Sequence, residues 1–171
     1  MTREWLGGGT EQHRSAALSE DFTMAKIAVL ALSVSVLSGC LIMVPGHLYP
    51  VQGPLSTVTP MPIYTVVING VGNSGTVSTT LGTRPLRGSW SVLRPDDPSA
   101  KGMAAEWDKV YGNGFFTAHV LGAPLLARGT LAGEGDSALT VQFIDARGDA
   151  LAHARGVATD NAGNLYKLTF Q

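Results

Sequence analysis

The chain holds one cysteine, Cys40, placed directly after Leu37-Ser38-Gly39, where an apolar run gives way to small residues. A single thiol excludes an intrachain disulfide. It leaves two uses for the sulfur: a small buried apolar group or the attachment point of a modification. The other side chains able to do chemistry are scattered. Beyond Cys40 the histidines are His47, His119 and His153. No His-x-His, His-Glu-x-x-His or second cysteine accompanies them to complete the three or four ligands that zinc requires. Ser74 sits in Gly72-Asn73-Ser74-Gly75, which is not the Gly-x-Ser-x-Gly elbow. A Ser74/His119/Asp145 set can be drawn up, but a nucleophile needs its base beside it, and the spacing supplies no such neighbour. Asp160-Asn161-Ala162-Gly163-Asn164 lacks the spaced carboxylates and distal Glu of a calcium loop, so it is expected to be a hairpin turn. Asp96-Asp97 lies between Pro95 and Pro98 and is expected to be solvated loop charge rather than an acid/base pair. No catalytic residue, metal site or cofactor is assigned.

The elements around Cys40 give its thiol a context. Residues 24–40 read MAKIAVLALSVSVLSGC: one positive charge at Lys26, an apolar stretch over 27–36, then small residues. A basic start, a short apolar core and a small-residue exit form a secretory signal. A retained membrane span needs about 20 predominantly apolar residues. Here Ser33, Ser35, Ser38 and Gly39 dilute the run and Pro45-Gly46 ends it. The ending Leu-Ser-Gly-Cys resembles the lipobox of bacterial lipoprotein precursors. That resemblance covers residues 24–40 and implies that Leu37, Ser38 and Gly39 guide a peptidase that cuts before Cys40. It also implies that the Cys40 thiol carries a diacylglycerol and the new amino group a further acyl chain. Anchoring energetics agree, since each buried methylene contributes ~0.8 kcal/mol and two chains hold where one binds reversibly. Leu41 is not the Asp that commonly marks inner-membrane retention, so the resemblance implies the outer membrane.

Residues 1–23 fit no such signal, because Glu4, Glu11, Glu20 and Asp21 accompany Arg3 and Arg14. Translation is expected to begin at Met24, with 1–23 a mis-assigned or disordered extension. Glu20-Asp21 is compatible with a purine-rich ribosome-binding sequence at a suitable distance upstream.

From Cys40 onward the chain has nine basic and nine acidic residues. Zero net charge and no basic patch exclude nucleic acid and long-range attraction to anionic lipid as defining partners. With its one cysteine spent on lipid, the body must hold by a hydrophobic core alone, which a domain of this size can do.

Five of the nine prolines lie in residues 41–62, so residues 40–62 are expected to be a lipidated, proline-rich tether outside any central strand. Over 63–171 the pattern becomes short β-rich runs between Gly, Asn and Asp turns. Candidate strands are 63–71, 75–81, 86–93, 115–121, 126–132, 138–144, 151–158 and 165–170. Turns recurring every ~8–12 residues predict a small antiparallel meander, mainly β, closed as a barrel or packed as a sandwich. Asp97 as cap, Pro98 at the first position and Gly112 at the exit predict one short helix near 98–111, expected to cover an opening or edge of the sheet. Trp90, Trp107, Phe115, Phe116 and Tyr166 either line a ligand cavity or fill the interior, and filling is the expectation at this size.

The body thus resembles the small β-rich envelope lipoproteins of double-membraned bacteria. Two roles fit: a non-catalytic envelope module that binds or braces another component, or a periplasmic barrel that holds a small apolar ligand or inhibits a lytic enzyme. Lipid-anchored lysozyme inhibitors share the second plan, but those depend on disulfides that this chain lacks.

Overall fold

The computed structural model describes residues 42–94, 97–145 and 154–170. The expected signal peptide and its helix, with Leu37, Ser38, Gly39 and Cys40, lie outside the described residues, as does His153. The strands run Ile42–Gln52 (β1), Tyr64–Val71 (β2), Ser74–Leu81 (β3), Arg84–Val92 (β4), Leu125–Ala132 (β5), Ala138–Asp145 (β6), Arg155–Asp160 (β7) and Leu165–Phe170 (β8). Each pairs antiparallel with the next, and β8 returns to β1, closing an eight-stranded up-and-down barrel. Sandwich packing is thereby excluded.

Period-two alternation sends one side of each strand inward. Leu48, Val66, Ile68, Val77, Leu131, Leu139 and Val141 are fully or almost fully buried there. The interior is filled, with Trp90 and Phe143 edge to face at 5.3 Å and Phe143 and Phe170 at 5.9 Å. Large rings fit because glycines face them. A Cβ on Gly70 would lie 2.6 Å from Trp90 Cζ2, and one on Gly46 would lie 2.9 Å from Phe170 Cδ1. The Trp90 indole N–H is satisfied by the Asn69 carbonyl at 3.1 Å.

The strand expected at 151–158 is Arg155–Asp160, the expected residues 151–153 lying outside the described ones, and two further expectations are corrected. The segment read as a tether contains β1, a full member of the barrel. Its prolines are accommodated because the two ladders overlap only around Gly46–Leu48. Pro45 lies where only β2 pairs, and Pro50 lies beyond the β2 ladder, where only β8 pairs and a bulge follows. A strand with one open flank can lack a donor there without losing a ladder bond. The barrel therefore begins at Ile42 rather than at residue 63, and only residues 53–63, with a 3₁₀ turn at Pro54–Thr57, remain a connection.

The second correction concerns 115–121, which is not a strand. Phe116–Val120 is a π-helical turn, with the Leu121 N–H reaching the Phe116 carbonyl at 2.8 Å. The Asp108 carboxylate accepts from Gly114 N at 3.0 Å and Phe116 N at 2.9 Å, so helical turns are nucleated where sequence alternation suggested extension. Phe116 and Val120, four residues apart, become the buried pair.

The helix is present in two parts, Pro98–Lys101 (α1) and Ala104–Tyr111 (α2), broken at Gly102. Asp97 caps α1, its Oδ1 accepting from Ser99 N at 2.8 Å and Ser99 Oγ at 2.6 Å. These bonds hold the Asp97 carboxyl below its ordinary range. Instead of closing a barrel opening, α2 and the π turn lie on the outer wall, where Met103, Trp107, Phe116 and Val120 pack against outward-facing Ile144 and Val157. A second core thus forms outside the barrel.

Candidate functional site

Among the described residues the barrel interior is occupied by packed apolar side chains. Trp90 and Tyr166 are part of the barrel core, while Trp107 and Phe116 are buried in the external layer. Trp107, Tyr111 and Phe115 stack along that layer, with centroids 5.6 and 4.6 Å apart, and exposed His119 continues the stack at 4.7 Å from Phe115. The Tyr111 hydroxyl donates to the carbonyl of Gly156 at 3.0 Å, and burial pushes its pKa up to about 12.

The residues that a catalytic set would need are spread apart. Ser74 starts β3 opposite Ser91, Asp145 ends β6 opposite Leu125, and His119 rides on the external π turn. Ser74 and Asp145 are therefore three strands apart around the barrel. Among the described residues no group of three His, Cys, Asp or Glu side chains could hold a metal.

Asp160 has a structural task. Its Oδ1 accepts from Ala162 N at 3.0 Å and Asn164 N at 2.9 Å; its Oδ2 accepts from Asn164 Nδ2 at 2.8 Å and the Tyr166 hydroxyl at 2.7 Å. Burial, then the bond to this carboxylate, raises the Tyr166 pKa strongly. Asn164 in turn accepts from Leu55 N at 2.8 Å, fastening the 3₁₀ turn to the β7–β8 turn. The segment is a hairpin turn that also latches the β1–β2 connection.

What the structure offers a partner is on the outside. A groove of about 610 Å³ lies at the β2–β3–β4 rim, lined among others by Ile63, Tyr64, Val67, Ser78, Leu86 and Arg87. Ile63 is 57 % exposed. Sequence reasoning missed this groove because strand register, not spacing, brings Val67, Ser78 and Arg87 into one row. Among the described residues His47 Nδ1 on β1, Asn69 Oδ1 on β2 and Glu106 Oε2 are buried without a hydrogen-bond partner on the protein.

The outward faces of β3 to β5 carry Ser74, Thr76, Thr80, Ser89, Ser91, Arg128 and Thr130, all exposed. On these three strands an apolar interior faces a hydroxyl-rich exterior, the reverse of the apolar outer belt of a membrane-crossing barrel. No helix among the described residues is long and apolar enough to cross a membrane. No family model matches the chain, and neither a curated protein nor a solved structure shows significant similarity to it.

Proposed function

We propose that this protein is a bacterial lipoprotein, exported by residues 24–39, cut before Cys40, lipidated on its sulfur and held at the outer membrane. There it serves as a non-catalytic module that binds or braces another envelope component. The observation that carries this reading is Leu37-Ser38-Gly39-Cys40 closing a basic-then-apolar signal, with the only thiol of the chain at the cut. The filled barrel supports the non-catalytic role, since its working surface is then the exterior.

The rim groove favours a second reading, a periplasmic ligand-binding or lytic-enzyme inhibitor module, with an apolar wall at Ile63 and the Arg87 guanidinium to orient a ligand. Fractionation of cells making Cys40→Ala tests the main reading. The variant should leave the membrane fraction or persist as an uncut precursor. A variant that still sediments with membranes at the mature size would contradict it.

A further inference from the structure

Between Lys26 and Arg84 the sequence contains no Asp, Glu, Lys or Arg. The barrel topology turns this linear fact into a surface. β1, β2 and β3 are consecutive neighbours around the barrel, so three of its eight strands, with the 53–63 connection, form one wall without a formal charge. Soluble surfaces normally intersperse charges of both signs. The same segment holds most of the exposed large hydrophobic side chains: Met43 at 64 %, Val51, Val58, Met61 and Ile63, with only Leu121 elsewhere among the described residues. Met43 and Val51 project outward from opposite ends of β1, with Pro45, His47 and Tyr49 between them.

We propose that this wall seats on the bilayer that holds the Cys40 lipid, so that the barrel lies on its β1 side. The inference rests on the lipoprotein reading above. The occupant follows from chain length. Cys40 precedes Ile42 by two residues, and an extended chain spans at most ~3.6 Å per residue, so the Cys40 Cα lies within about 7 Å of the Ile42 Cα. That reach holds the Met43 end of β1 at the membrane, and laying β1 along the bilayer brings Val51 and Ile63 at its other end to the same surface. At the margins the first outward charged residues are Lys167 of β8, whose Nζ lies over the Tyr111 ring at 5.5 Å, and exposed Arg87 of β4, while the Asp160 carboxylate is held beside the connection through Asn164. The wall lies on the surface and does not span it, as the hydroxyls of β3 require.

Lipidation consumes the only native thiol, so an introduced cysteine is unique in the mature protein. Val51→Cys and Ile63→Cys on the wall, and Thr130→Cys on β5 as the distant control, are labelled with a fluorophore. The lipidated proteins are then reconstituted into phosphatidylcholine vesicles containing acyl-chain nitroxide lipid. The probes at 51 and 63 should be quenched several-fold more than the probe at 130. Flotation with the vesicles but equal quenching at all three sites overturns the docking while leaving the anchor intact. Selective quenching that vanishes on dilution of protein in lipid overturns it in favour of a second copy. Failure to float overturns anchor and docking together.

Discussion

The Trp107 indole N–H donates to Gln142 Oε1 at 2.8 Å, a fully buried bond that joins the external helix to the outward face of β6. A glutamine among Ile144, Val157 and Met103 is tolerated only because the indole satisfies it. Gln142→Leu leaves the N–H without a partner and should cost about 1–3 kcal/mol in denaturant unfolding. In the Trp107→Phe/Gln142→Leu double variant the two losses should be less than additive, by roughly 0.5–3 kcal/mol. Strict additivity would mean that the bond does not couple the two layers.

Gly70 and Trp90 share an interior layer in which only one can be large. A Cβ on Gly70 would meet Trp90 Cζ2 at 2.6 Å and the Ser74 carbonyl at the same distance. Gly70→Ala should therefore destabilise by about 1–3 kcal/mol through overpacking. The Trp90 fluorescence should shift as the indole is displaced. An unchanged denaturation midpoint would refute the ring-against-glycine account of how this barrel is filled.

Asn164 is the latch for the β1–β2 connection. Asn164→Ala removes the acceptor for Leu55 N. Hydrogen exchange should then speed up at residues 53–57 while β5 and β6 amides keep their protection. Uniform acceleration across the strands would show that Asn164 supports the whole barrel instead of one segment.

Tyr111 gives the fold an alkaline limit. An unfolded tyrosine ionises near ~10, whereas burial raises this hydroxyl to about 12 in the folded chain. A group raised in the native state contributes stability that is complete below about pH 10 and lost as pH climbs toward 12. In urea titrations Tyr111→Phe should be less stable than the parent at pH 7, where the bond to the Gly156 carbonyl is intact. The gap should narrow between pH 10 and 12. A gap constant over that window would place the hydroxyl in water.

The sequence was readable wherever a strand has one wet face and a tight turn. β8 matches its expected bounds, and β2 to β6 differ by a residue or two, because Ser, Thr and Arg alternate with apolar residues and Gly or Asn punctuates the ends. β1 was hidden because proline argues against strand interiors, and only the staggered partners of β1 reveal that Pro45 and Pro50 each have a free flank. The π turn was hidden because FTAHV alternates as a strand does; the deciding interaction is the Asp108 carboxylate, which binds amides six and eight residues later. The uncharged wall was legible as composition but not as a surface until the order of strands around the barrel placed β1 to β3 side by side.

Mass spectrometry of the N-terminal peptide of the protein purified from its native membrane tests the account most directly. It should begin at Cys40, lack residues 1–39 and carry a diacylglycerol on sulfur with a further acyl chain on the amino group. A peptide that continues upstream of Cys40 with a free thiol would contradict it.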